Sequence, residues 1–390
     1  MVLGKDERIH VLDAIRGIAL LGILLVNIIF FSTSLQAIQY QIELWPGFWA
    51  KAVEAFRFLF VENKFISMFS FLFGYGMILF KQKAEQKGKR FVCAYVRRLL
   101  ALFGFGLIHG LFIWYGDILL HYALLGFVLL LFHKAKAKTL LIWGIALILL
   151  VPTLLAVNGA PTAPVLNEET KAMMMQLIER DNAVYGSGTY DAIHALRFYD
   201  WNGSLINQIL FYPNILGLFL LGAAFAKFGV LHDAASHRRL LKKIAAWCGG
   251  FGFFSLLLAY TLPEGTSLKS LLQVLGILIG SPMLGLCYIA SLALLFQKQA
   301  GRRILTPFAS VGRMAFSNYI MQSVMCTLIF YSYGLGLFGK VSPVLGIGIA
   351  LLVYGVELIW SRLWFARFSM GPLEWIWRLF TYLQIPSIKK

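Results

Sequence analysis

The chain has 390 residues, 59% of them hydrophobic and only 14% charged, with a mean hydropathy of +0.75. That leaves too little polar surface for a soluble globule of this size, so the chain reads as an integral membrane protein. The formal charge of +17 sits in short loops between apolar runs, where it reports topology and calls for no nucleic-acid partner.

Taken in order, the N-terminus places Asp6 and Glu7 beside Lys5 and Arg8, and the apolar run behind it lacks a small-residue cleavage site. It reads as a retained first helix rather than a signal peptide. Apolar runs of about 17 residues or more predict ten spans, roughly 14–32, 56–80, 93–114, 117–133, 138–157, 206–228, 241–262, 271–296, 314–337 and 343–365. With the N-terminus cytoplasmic, the inner segments hold 27 of the 35 lysines and arginines and the outer segments seven. The expected fold is therefore all-α and polytopic, with about ten transmembrane helices and both termini cytoplasmic.

The expected organisation is a five-helix half over 1–157, an extracytoplasmic loop over 158–205, a second five-helix half over 206–370 and an interfacial helix and tail over 371–390. The loop carries six acids against three bases and predicts short helices near Asn167–Asp181 and Thr189–Asp200, parted by Gly186-Ser187-Gly188. A cap joining two bundles is the plain reading, preferred to a lid over a site. No repeat of fixed period is visible, and an inverted five-plus-five repeat would leave little mark in sequence. After Gly371-Pro372, the run LEWIWRLF fits a short helix lying along the inner membrane surface.

Cys93, Cys248, Cys287 and Cys326 lie singly, without metal-ligand spacing, and read as small buried hydrophobes. No metal is expected. The ionisable groups inside the apolar runs are more telling, because each costs ~2.5–3.5 kcal/mol to insert. His109, Asp117 and His121 crowd the turn between spans three and four, with Arg97 and Arg98 at the far end of span three. Arg16 precedes Asn27 by the same eleven residues that separate Arg98 from His109, about 16 Å along a helix. Asn27 and His109 should then sit at similar depth, Lys64 should reach it from span two, and Asp117 and His121 should share one face of span four.

Several of these have plainer explanations. The arginines can snorkel to headgroups, Asn27 can bond one helix to another, and Gly106-Leu107-Ile108-His109-Gly110 is a close-packing spacing. Lys64 lies too deep to snorkel and is expected to be paired or to face a cavity. A histidine with Asp117 within a turn is a candidate oriented base. Further on, Arg313 stands at the inner mouth of span nine, Asn318 and Gln322 are four apart, and Glu357 is expected to pair with Arg362 or Arg367.

The segments LDAIRGIALLGILLVN, KFISMFSFLFGYG, GLIHGLFIWYGDILL, VGRMAFSNYIMQ and GPLEWIWR resemble the YeiB family of bacterial inner-membrane proteins over nearly the whole chain. The first span, with Asp13, Arg16, Gly17 and Asn27, also looks like the opening span of heparan-alpha-glucosaminide N-acetyltransferase, which moves acetyl from cytosolic coenzyme A to a sugar amine. That likeness covers the first four or five spans and implies an active-site role for Asn27, with Asp13 and Arg16 as further matching positions. The enzyme's catalytic histidine, shortly after the asparagine, has no counterpart in NIIFFSTSLQAIQYQIELWPG. In the acyltransferase-three group, an arginine is followed after ten residues by a histidine; here that gap runs from Arg16 to Asn27.

These likenesses imply a transmembrane acyltransferase whose base has moved to His109. Arg16, Arg98 and Arg313 would bind the phosphates of acyl- or acetyl-coenzyme A, Asp117 would orient His109, and Asn27 would donate to the oxyanion. A proton-coupled transporter using His109, Asp117 and Lys64, and a non-catalytic lipid- or quinone-binding protein, are the competing readings. Asp13, His121, Asn318 and Gln322 are further candidates for substrate contact. Membrane lipids and a small-molecule or lipid-linked acceptor are the expected partners in the bacterial inner membrane, with a homodimer left open.

Overall fold

The computed structural model describes residues 5–158, 167–262 and 267–389, and 82% of the structure is helix, without strands among those residues. The helices in chain order are α1 (Lys5–Ser32), α2 (Leu35–Gln39), α3 (Phe48–Phe56), α4 (Lys64–Gln86), α5 (Phe91–Ile108), α6 (Leu119–Leu131) and α7 (Ala137–Asn158). Then come α8 (Glu168–Ser187), α9 (Tyr190–Gln208), α10 (Tyr212–Phe228), α11 (Arg238–Thr261), α12 (Ser267–Leu275), α13 (Ser281–Phe296) and α14 (Gln299–Arg313), followed by α15 (Ala315–Phe330), α16 (Pro343–Arg367) and α17 (Pro372–Tyr382). Among the described residues eight helical stretches are long and apolar enough to cross a membrane, and α6 and α15 are shorter apolar helices. Together they fall where the ten apolar runs lie.

The packing explains why so many glycines stand in these helices. On α4 and α10, a Cβ at Gly74 would collide with the Phe219 carbonyl and one at Gly222 with that of Phe71. On α1 and α14, Gly17 and Gly312 likewise admit the Phe308 and Asp13 carbonyls. Without a hydrophobic drive between helices in lipid, close backbone approach of this kind supplies the attraction. α10 lies between α4 and α7, α1 packs on α14 and α16, α11 packs on α13, and α5 packs on α6. The outward faces are apolar, with Ile142, Leu352 and Ile359 exposed on α7 and α16, as a lipid-facing surface requires.

Three departures from the sequence expectation matter for the site. The second span is broken: a π-helix over Arg57–Val61 ends at an extended Glu62, and Asn63 adopts φ 61° before α4 begins at Lys64. Asp117 precedes α6, so it does not share a helical face with His121. The two helices of the 158–205 segment are longer than expected, since α8 reaches Ser187 and α9 continues to Gln208.

α8 and α9 form a cap held by buried polar contacts. Ser34 donates to Asp181 at 2.6 Å, Tyr185 donates to Asp200 at 2.7 Å, and the Ser332 N–H reaches the Tyr185 carbonyl at 2.8 Å. At the opposite end α17 docks on α5 and α15.

Candidate functional site

The last turn of the third span is a π-helix, His109–Ile113, closed by the Trp114 N–H on the His109 carbonyl at 2.9 Å. Such a turn inserts a residue into the helical register and re-aims a side chain, and it is frequent at functional sites. His109 is its first residue and is fully buried. Gly106, one turn earlier, leaves room for the Leu120 backbone and the Asp117 carboxylate. The glycine spacing thus brings the start of α6 against the histidine.

Asp117 Oδ1 lies 2.9 Å from His109 Nδ1, and Oδ2 accepts the Leu120 N–H at 2.7 Å. Both carboxylate oxygens are therefore fixed. A carboxylate on Nδ1 favours the tautomer protonated there and leaves Nε2 as acceptor. Nε2 lies 2.9 Å from the Ser323 hydroxyl, which has the Tyr319 carbonyl at 3.3 Å as its alternative acceptor. The three side chains form a buried chain of carboxylate, imidazole and hydroxyl, the arrangement that activates a serine oxygen.

Ser323 belongs to a polar stripe on α15. Gln322 Nε2 donates to Glu357 Oε2 at 2.8 Å, and Asn318 Nδ2 bonds the Ser361 hydroxyl at 3.0 Å and the Val311 carbonyl at 3.1 Å. Glu357 is fully buried and its partner is this glutamine, not the expected Arg362 or Arg367; Oε1 has no partner among the described residues. The reason is rotational: Glu357 and Ser361, four apart on α16, both face α15.

The remaining expected residues do not gather at His109. Asn27 is half-buried and its side chain makes no hydrogen bond among the described residues, although its helix reaches the turn through the Tyr115 hydroxyl on the Phe30 carbonyl at 3.0 Å and Phe31 stacked on Trp114 at 4.0 Å. Lys64 is buried and paired as expected, but with the Phe58 carbonyl freed by the break in its span. His121 bonds the Tyr212 hydroxyl at 2.6 Å on α10. At the other end, Arg16 pairs with Asp13 at 2.8 Å, and Arg98 lies 3.5 Å over the Trp377 ring. Arg313 donates to the Ser369 carbonyl at 3.2 Å and lies 4.0 Å over Phe365.

Two participants carried no usable sequence signal. Ser323 is 214 residues from His109, and a serine in an apolar helix is unremarked until its neighbour is known. Glu374, taken for part of an anchor, accepts the Phe316 N–H at 2.8 Å and the Ser317 N–H at 3.2 Å, capping the helix that carries Ser323. Burial pushes its carboxyl above the ordinary range despite these bonds.

Comparison with known proteins gives the relationship. A family model described as a protein of unknown function (DUF418) matches residues 225–384. YxaH of Bacillus subtilis (strain 168) is 43% identical over 99% of this chain and 97% of its own length. YeiB of Escherichia coli (strain K12) is 30% identical over 98% of this chain and 99% of its own. The chain belongs to the YeiB family. A third relative, the 39.9 kDa protein in the amylase 3' region of Bacillus acidopullulyticus, is 31% identical over 97% of this chain and 94% of its own. In this YeiB-family chain, residues 225–384 include Ser323, Gln322, Glu357 and Glu374, whereas His109 and Asp117 fall in the part aligned with the full-length relatives alone.

Proposed function

We propose that the protein is a membrane-embedded acyltransferase that moves an acyl group from a cytoplasmic acyl-coenzyme A to an extracytoplasmic or lipid-linked hydroxyl or amine. The observation that carries this reading is the Asp117–His109–Ser323 chain. Ser323 Oγ attacks the thioester carbonyl while its proton passes to His109 Nε2; the C–S bond breaks and the proton leaves with the coenzyme thiol. The acceptor hydroxyl or amine then attacks the acyl-serine, its proton goes to His109, and from there returns to Ser323. Asp117 holds the imidazole in the required tautomer and stabilises its protonated form.

Arg16, Arg98 and Arg313, at the inner end, would take the donor's phosphates, and Asn27 would donate to the oxyanion once the closed helices part. The triad members are sealed from solvent, so opening is part of the cycle. The test is a labelled acyl-coenzyme A mixed with purified protein. Label should appear on Ser323 in wild type and disappear in Ser323→Ala and His109→Ala at matched expression; label retained in Ser323→Ala removes the covalent step.

Proton-coupled transport of a small amphiphile is the second reading, favoured by the buried Glu357, which bonds the Gln322 that precedes Ser323 and has one oxygen unpartnered among the described residues. Substrate-driven proton uptake lost in Glu357→Gln, without acyl labelling, would decide for it. We further place the protein in the bacterial inner membrane with both ends cytoplasmic, on the strength of the basic inner segments. An introduced cysteine at Ser187 should then react with an impermeant reagent from outside, and one at Gln86 should not; the reverse pattern inverts the map.

A further inference from the structure

Beneath the cap, several buried donors point at no acceptor. Arg197 on α9 is fully buried, and its Nε and Nη1 donate to the Leu111 and Ile113 carbonyls at 3.0 and 3.3 Å. These are carbonyls of the π-helix that begins with His109. Among the described residues Nη2 is unpartnered and Arg197 makes no ion pair, although its guanidinium carbon lies 5.7 Å over the Tyr190 ring. Trp201, one turn further along α9, presses its indole nitrogen against Gly110, where a Cβ would collide with it, and that nitrogen too is unpartnered. Trp114 Nε1 at the end of the same π-helix and the Tyr331 hydroxyl are likewise unpartnered among the described residues, as is one acceptor, Asn182 Oδ1 on α8. Trp114, Trp201 and Tyr331 lie in one contiguous buried cluster.

A buried donor left unmade is expensive, and a buried charge more so unless paired. The carbonyls at the end of a helix offer a cation a partly negative terminus, which accounts for two of Arg197's nitrogens. It does not account for the third, nor for two indoles and a phenol. Each of Arg197, Trp201, Trp114 and Tyr331 can donate, and one carries a full positive charge. Water would satisfy the hydrogen bonds and leave the charge without a counter-ion; an anion with several acceptor oxygens satisfies both. Asp200 does not serve, because its Oδ2 accepts from Tyr185 and it makes no ion pair among the described residues.

We propose that Arg197, Trp201, Trp114 and Tyr331 form an oxyanion-binding site beneath the cap, at the outer end of the π-helix, for the carboxylate or phosphate group of a molecule entering from the cap side. The site stands without the acyl-transfer reading. Joined to it, the bound group belongs to the acceptor and sits on the turn that carries the base.

The test uses the full chain in detergent and follows thermal unfolding against inorganic phosphate and against acetate, at ionic strength held constant with sodium chloride. Wild type should show a saturable rise in Tm with at least one anion; a response to phosphate alone assigns a phosphate group and to acetate a carboxylate. Tyr331→Phe keeps the ring, Trp201→Phe keeps an aromatic ring in place of the larger indole, and each removes one donor, so each should weaken the anion's apparent affinity about tenfold. Arg197→Lys, which keeps charge but loses the fork, should weaken it more. Without anion, Tyr331→Phe should be at least as stable as wild type, since it deletes an unsatisfied group; a clear loss would mean the hydroxyl already has a partner and would overturn its place in the site. No rise with either anion means hydration only and overturns the proposal. A rise undiminished in Trp201→Phe and Tyr331→Phe places the anion elsewhere and does the same.

Discussion

The two ends of the helix bundle hold their ionisable groups in different ways. At the end beneath α8 and α9, the outer end in the topology proposed above, carboxylate, imidazole and hydroxyl bond one another, in the sequence Asp117, His109, Ser323. At the opposite, inner end Arg16 pairs with Asp13, and three further guanidinium groups meet carbonyls and ring faces: Arg97 donates to the Thr381 carbonyl at 3.0 Å, Arg98 lies over Trp377, and Arg313 lies over Phe365. Both ends are rich in charge, so charge alone does not single out a reactive centre. What distinguishes them is connectivity, since a chain of side chains can move a proton whereas a stack on tryptophan fixes a helix.

The sharpest way to break this comparison is to treat the outer chain as a unit. Under the proposed function, His109→Ala, Asp117→Asn and Ser323→Ala should each lower acyl transfer on the order of a thousandfold or more, and any two together should cost little beyond the worse single change. The measurement is turnover of acyl-coenzyme A at matched membrane expression. Losses that add in free energy would mean separate roles, and the outer end would then be no more integrated than the inner.

How far this was legible in the sequence depends on how local each feature is. The number and order of apolar helices needs only composition over about twenty residues, and it was readable throughout. His109 and Asp117 were readable as a pair because eight residues separate them across one turn. The depth argument that added Asn27, Lys64 and His121 assumed straight, unbroken helices. It failed where Asn63 takes a left-handed conformation and frees the Phe58 carbonyl for Lys64, and where Asp117 turned out to cap α6 rather than ride on it. Ser323, Arg197 and Glu374 meet their partners across α15, the cap and α17, and no local pattern encodes such long-range meetings.

At the inner end the expected effects are smaller. Trp377→Leu removes the face beneath Arg98 and the indole donor to the Arg98 carbonyl at 2.8 Å, so α17 should exchange its amide hydrogens faster, the stack itself being worth ~0.5–2 kcal/mol. Arg98→Lys keeps the charge but not the planar stack, and should loosen α17 in the same way. If the arginine also grips donor phosphate, the KM for acyl-coenzyme A should rise severalfold in Arg98→Lys. An unchanged KM makes the inner end purely architectural and widens the contrast with the outer.

The smallest effect concerns Glu374, a carboxylate that ties the inner end to the helix bearing Ser323. Its carboxyl accepts two backbone N–H groups at the start of α15, where the helix dipole favours negative charge, yet burial raises its proton affinity above that of the unfolded chain. A carboxyl whose folded pKa is raised binds protons more tightly in the folded state than in the unfolded. Its contribution to stability is therefore most favourable below the ordinary value of 4.5 and declines as pH rises through the folded value. Glu374→Gln keeps an acceptor oxygen for the N–H groups and cannot titrate. The difference in Tm between wild type and Glu374→Gln should accordingly shift against wild type as pH rises from about 4.5. A shift in the opposite direction would mean that the N–H bonds and the helix terminus outweigh burial, leaving the carboxylate as the preferred form and α17 held by charge rather than in spite of it.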